Sequence, residues 1–130
     1  MVDVVVNESN IHGKGVFAKR GFKKGEIVIR YNLKFLTKEE FAKLSESEKH
    51  YTSKEENGAI WLFPSPERYV NHSCEPNTNP NLKEKFDFAI RDIKKGEEIL
   101  TDYRLDDVPD LNMKCNCGSK HCKKIIRKGN

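Results

Sequence analysis

Four cysteines are the residues best suited to defined chemistry in this sequence: Cys74, Cys115, Cys117 and Cys122. Cys115 and Cys117 flank a single residue, and Gly118 lets the chain turn before Cys122. Structural zinc takes four ligands at tetrahedral corners, often all thiolates. The tail supplies three, so a fourth must come from elsewhere. Cys74 closes the count. His121 competes for the place, although its neighbour Cys122 would then have awkward geometry. Two disulfides would suit a secreted chain, and free thiols a redox protein, but a C-x-x-C motif is missing. A zinc ion held by all four cysteines would pin the C-terminal tail against Asn71-His72.

Two further segments carry polar chemistry. His12-Gly13-Lys14-Gly15-Val16-Phe17 sets two glycines before a strand, and glycine lets backbone approach a ligand closely. The segment also reads as a plain hairpin turn, since no third glycine opens a helix as in phosphate-binding loops. Asn71-His72-Ser73-Cys74 concentrates polar groups in a loop, where Asn71 and Ser73 suit a capped turn. His72 could act as a base, but no serine or cysteine nucleophile pattern surrounds it. Cys74 as a nucleophile would leave the other three cysteines unexplained.

The elements that must position these residues read as mostly β with little helix. The chain has 130 residues, 36% of them apolar and 34% charged, which fits one globular domain with a wet surface. A net charge of +4 is a weak sign of acidic partners. No apolar run approaches membrane-spanning length. The opening Met1-Val2-Asp3-Val4-Val5-Val6 has no basic region or cleavage site, so an intracellular protein is expected. Strands are predicted over Val2–Val6, Gly15–Ala18, Glu26–Tyr31, Ala59–Phe63, Phe86–Ile90 and Glu97–Tyr103. Ile27, Ile29 and Tyr31 would share one face of their strand. Phe86, Phe88 and Ile90 would form the apolar face of another. One helix should start at the N-cap Thr37, with Glu40 completing a capping box, and fade near Lys49. Arg68 to Asn81 reads as irregular chain. Ala18–Glu26 and Ala89–Glu97 echo each other, which suggests two similar corners.

Taken together, these segments resemble the SET domain family of lysine methyltransferases. Gly13-Lys14-Gly15 resembles the family's first cofactor motif, and Arg68-Tyr69-Val70-Asn71-His72-Ser73-Cys74-Glu75-Pro76-Asn77 its most diagnostic stretch. Gly96-Glu97-Glu98-Ile99-Leu100-Thr101-Asp102-Tyr103 resembles its catalytic strand, and Cys115-x-Cys117-x4-Cys122 its post-SET zinc motif. The resemblance implies small curved β-sheets around a C-terminal pseudoknot over residues 1–108. A zinc-binding tail follows over 109–130. It also implies S-adenosyl-L-methionine as cofactor, held by Lys14, Gly15, Val16, Arg68, Asn71, His72 and Tyr103. The zinc ligands would be Cys74, Cys115, Cys117 and Cys122.

The implied activity is methyl transfer to the ε-amine of a lysine in a protein such as a histone or a DNA-packing protein. Tyr103 is the expected central catalytic residue, and Tyr51 a second channel tyrosine. Trp61 reads as core or channel wall. At Thr101 the family often has an aromatic, so a threonine there should leave room for di- or trimethylation. A rival reading keeps the fold but loses catalysis, using the basic tail (Lys114, Lys120, Lys123, Lys124, Arg127, Lys128) to contact protein or DNA. Nucleic acid is otherwise an indirect partner. A homodimer could complete the substrate groove of so small a domain.

Overall fold

The computed structural model describes residues 3–11, 13–105, 112–115, 117–120 and 122–127. Short strands dominate the described residues, as the sequence predicts. In chain order they begin with β1 (Val4–Glu8), β2 (Lys14–Ala18), β3 (Ile27–Arg30) and β4 (Lys34–Leu36). Two short helices follow, α1 (Lys38–Ala42) and α2 (Glu46–Lys49). Next come β5 (Thr52–Lys54), β6 (Ile60–Leu62), β7 (Asn71–His72), β8 (Thr78–Asn81), β9 (Phe86–Ala89) and β10 (Glu98–Thr101). The tail forms β11 (Asn112–Lys114) and β12 (Ile125–Arg127).

These strands make four small sheets: β1-β2-β10-β7, β3-β9-β8, β4-β6-β5 and β11-β12. Strand β10 is the centre of the knot-like crossing. It pairs antiparallel with β2 and parallel with β7, with Leu100 opposite Asn71 and Thr101 opposite His72. The chain after β7 then wraps β10. Ser73 N–H donates to Thr101 O, and the Asn77 side chain bonds Glu98 O and Leu100 N–H at 2.8 Å each. Asn77 and Thr78 are almost fully buried here. A polar side chain survives in a core only with its bonds satisfied, and both have backbone partners on β10. The Arg68–Asn81 stretch expected to be irregular therefore holds a 3-10 turn (Glu67–Tyr69) and two strands. Pro80 fits because β8 is an edge strand of its sheet.

The echoed segments pair with each other. Phe22 and Ile93 exchange both backbone hydrogen bonds at 2.8 Å. Gly25 N–H reaches Ala89 O, and Gly96 N–H reaches Ala18 O. The two glycines share a left-handed φ, 93° and 90°, which a side chain disfavours. Two similar corners thus lock into one pseudo-symmetric joint with Phe22 and Ile93 buried at its centre.

Four further sequence expectations need correction. The predicted helix splits in two. Thr37 and Glu40 form the capping box, but Ser45 caps α2 by accepting from Glu48 N–H, which restarts the chain there. In β3 the register shifts between Ile27 and Ile29, so Val28 and Ile29 both enter the core and the alternation fails. In β9 the buried face is Asp87 and Ala89, while Phe86 and Phe88 are only half-buried. The predicted strand ending at Tyr103 stops at Thr101, and Tyr103 begins a 3-10 turn. Val2, His12, His121, Lys128 and the 108/109 boundary lie outside the described residues.

The main core gathers Val4, Val16, Ala18, Phe22, Val28, Ile29, Val70, Ala89, Ile93 and Ile99. A second, smaller cluster joins Cys115 and Ile126 of the tail to Cys74 and Tyr103.

Candidate active site

Two cavities of about 550 Å³ each lie on either side of a shared wall. Both are lined by Tyr51, Arg68, Tyr103 and Met113. The first runs along Tyr31, Phe63, Glu67, Asp87 and Thr101. The second runs along Gly13, Lys14, Tyr69, Asn71, His72 and Cys115. A site with two chambers meeting at one wall suits a transfer between two bound molecules.

The second cavity is organised around one buried amide. Asn71 Nδ2 donates to Lys14 O at 3.0 Å and to Glu98 Oε2 at 2.9 Å. Ser9 Oγ donates to the same carboxylate at 2.9 Å. These bonds tie β7, the glycine turn and β10 together. They also explain Gly15, because a Cβ there would stand 2.4 Å from Glu98 Oε2. Gly15 and Val16 themselves sit in β2 behind the cavity lining, with Val16 fully buried in the core. Lys14, Arg68, Asn71, His72 and Tyr103 do line it.

Arg68 and Tyr51 are held as a unit. The Arg68 guanidinium makes a two-pronged ion pair with Glu48 at 3.1 and 2.8 Å. It lies 4.5 Å over the Tyr51 ring and donates to Phe63 O at 2.8 Å. The restart of the helix at Ser45 is what brings Glu48 to this place. Cation–π contact and a fork-like ion pair both favour arginine over lysine here.

Tyr103 and His72 link the cavities to the cysteines. Tyr103 Oη donates to Val70 O at 2.5 Å, and Tyr103 N–H donates to His72 Nδ1 at 3.0 Å. Since Nδ1 accepts, the imidazole proton sits on Nε2, which faces Cys74 Sγ at 3.5 Å. Burial holds the His72 pKa below its ordinary value, so the ring is a neutral donor toward that sulfur.

The four cysteine sulfurs lie within 4.8 Å of one another. Tetrahedral thiolates about 2.3 Å from a zinc ion would stand roughly 3.8 Å apart, so the cluster has metal-site dimensions. Burial raises the Cys74 and Cys115 thiols. Burial opposes ionisation of Cys117 too, yet the N–H groups of Cys74 and Ser119 hold it down to about 6. A central cation would let all four ionise. The sequence pairing of Cys74 with the tail is thus realised as proximity.

Sequence reasoning missed Asp87, Glu67 and Met113 as lining groups, and it read Thr101 only for the room it leaves. Asp87 is 3% exposed and accepts a hydrogen bond from Tyr31 Oη. Burial, with Glu67 nearby, pushes its carboxyl up to about 7. Glu67 is also raised by burial and accepts from Asn32 N–H at 2.9 Å. The Thr101 hydroxyl is buried and has no hydrogen-bond partner among the described residues. An acid between two phenylalanines was the one available sign of Asp87. Met113 carries no sequence signal, since its place depends on the tail folding back.

The family model described as "SET domain" matches residues 13–104. The human histone-lysine N-methyltransferase 2B is 32% identical over 144 residues, spanning 95% of this chain. The histone-lysine N-methyltransferase trr of Drosophila melanogaster is 33% identical over 144 residues and 94% of this chain. This chain spans only 5% and 6% of those curated relatives. Among solved structures, a humanized Chaetomium thermophilum Polycomb Repressive Complex 2 bound to an inhibitor aligns with a TM-score of 0.63. It is 29% identical, and the alignment covers 82% of this chain and 15% of that one.

Proposed function

This chain belongs to the SET domain family, and from that premise we propose that it transfers a methyl group from S-adenosyl-L-methionine to the ε-amine of a lysine in a protein. A histone or another basic DNA-packing protein is the proposed substrate, since the similar proteins are named histone-lysine N-methyltransferases. The observation that carries this reading is the pair of cavities sharing Tyr51, Arg68 and Tyr103. One chamber would take the donor, and the other the acceptor side chain.

The residues at the second cavity fit the cofactor. Lys14, Asn71 and His72 offer backbone and amide groups for its polar parts, and Tyr69 offers a ring. When bound, S-adenosyl-L-methionine supplies a methyl carbon already activated by positive sulfur. The chain's own residues then have to align rather than activate. Tyr103 gives its proton to Val70 O, and its hydroxyl oxygen has lone pairs to orient an incoming amine. Tyr51, fixed by Arg68, narrows the passage from the other side. The lysine must be neutral when it attacks the methyl carbon, although its ordinary pKa is near 10.4.

The four clustered cysteines are proposed to hold one zinc ion. The proposed catalytic unit covers residues 1–108, and the tail 109–130 closes it by bringing Met113 to the shared wall. Incubation with methyl-labelled cofactor and histones tests the whole reading. Label should appear on lysine, and Tyr103→Phe should abolish it while the fold survives. A folded wild-type protein that binds cofactor but labels no lysine in any histone or basic protein would refute it.

A further inference from the structure

A buried carboxylate is unusual in a strand whose neighbours are phenylalanines, and β9 turns Asp87 inward while Phe86 and Phe88 are half-buried. Three observations meet in the first cavity. Asp87 is 3% exposed and Glu67 8%, so two buried carboxylates line the same chamber. Tyr31 Oη donates to Asp87 Oδ1, which fixes the carboxylate without neutralising it. Thr101, 4% exposed, lines the same chamber with a hydroxyl that has no hydrogen-bond partner among the described residues. Buried polar groups are ordinarily satisfied, and exceptions mark a ligand's place. Two acids and an unpartnered hydroxyl are complementary to a cation that donates hydrogen bonds.

The charged groups around Asp87 do not satisfy it from elsewhere. Arg30 on β3 lies over the Phe86 ring at 5.9 Å. Lys85 reaches Glu55 at 3.6 Å, and Arg68 is engaged by Glu48. Glu67 repels negative charge on Asp87.

We propose that Asp87 receives the acceptor lysine as its ammonium ion and takes one proton from it. The N–H bond of the ammonium breaks and an O–H bond forms on Asp87, leaving a neutral amine and a neutral acid. The amine lone pair is then available to form the new C–N bond, with the sulfur–carbon electron pair returning to sulfur. The inference rests on the lysine-methylating reading of this site. Tyr31 is a positioning residue that aims the carboxylate. A base that gains its proton from burial, at a pKa up to about 7, is matched to working near neutral pH.

The first test needs no transfer activity. Carboxyl-carbon NMR should follow the titration of Asp87 in wild-type protein, alone and with saturating n-butylammonium chloride. Its midpoint should fall by about one pH unit with the amine, and stay put with equal sodium chloride or n-butanol. Identical midpoints in all three would overturn the proposal even if methylation is observed. The second test uses Asp87→Asn and Tyr31→Phe, checked by circular dichroism. Asp87→Asn should lower kcat/KM about 100-fold at pH 7.5 and recover most of it near pH 10, where free lysine deprotonates itself. Tyr31→Phe should lose less. A folded Asp87→Asn protein with an unchanged pH profile would also overturn the assignment. Absence of any methylation by wild type, with the amine-dependent NMR shift intact, would sink the proposed function and leave Asp87 as an ammonium site.

Discussion

Replacing Asp87 by asparagine should change how stability depends on pH, in a window and by an amount the structure sets. The side chain is buried and its carboxyl is pushed from an ordinary 3.8 up to about 7, first by desolvation and then by Glu67, against the bond from Tyr31. Between those two values the folded chain holds a proton that the unfolded chain has released. Stability from this group therefore falls as pH rises through that window, and levels off above it. Three pH units at about 1.36 kcal/mol each amount to about 4 kcal/mol of lost stability by pH 8. Asparagine keeps the shape and cannot ionise, so that loss disappears. Urea unfolding of both proteins from pH 5.5 to 8.5, at one fixed zinc concentration, isolates the effect as a difference. Asp87→Asn should gain on the wild type by about 2 kcal/mol between pH 5.5 and 7, and little beyond. Parallel curves across the whole range would refute the account of a carboxylate buried at the cost of its charge.

Five other outcomes follow from the site. Tyr103→Phe should abolish methyl transfer. It should also cost about 1–3 kcal/mol in urea unfolding, because Val70 O loses its 2.5 Å donor. A chelator should strip about one zinc per chain, measured by elemental analysis, and lower the melting temperature, since Met113 and the tail lose their anchor to Cys74. Gly15→Ala should destabilise by several kcal/mol or force Glu98 aside, as its Cβ would stand 2.4 Å from Oε2; thermal melting reads the loss and calorimetry the weakened cofactor binding. Thr101→Val should be neutral or stabilising, since it removes a buried hydroxyl without a partner among the described residues. Thr101→Tyr should confine product to monomethyl-lysine by mass spectrometry, where wild type reaches higher states.

What could be read from residues alone was local or chemically distinctive. Thr37 and Glu40 announced their capping box, and four cysteines with one sensible partner announced their cluster. The echoed turns were visible, but not that they pair with each other, because nothing in either copy encodes its partner's position. The split of the helix turned on a single capping serine, Ser45, inside a run of helix-tolerant residues. In β9 the pattern of alternation was right and its sense was inverted. Periodicity gives two faces, and hydrophobicity chose the phenylalanines for the core. The fold instead buries Asp87, because Tyr31, just after β3, satisfies it. A function that needs a buried acid can override the simplest hydrophobic reading.

The cysteine cluster and the proposed transfer site are one continuous structure. Cys74 Sγ faces His72 Nε2 at 3.5 Å, and His72 Nδ1 accepts from Tyr103 N–H at 3.0 Å. The Tyr103 hydroxyl then bonds Val70 O, two residues before His72. A metal on Cys74 would thus fix the imidazole, and the imidazole fixes the backbone that carries the tyrosine. On the other side, Met113 of β11 and Cys115 just after it reach the cavities; β11 pairs with β12, whose Ile126 is fully buried in the cysteine cluster. Among the described residues, neither β11 nor β12 has another sheet partner. Two three-residue strands cannot hold a wall in water unaided. The sulfur cluster is therefore what keeps that wall in place, and the geometry at Tyr103 depends on it.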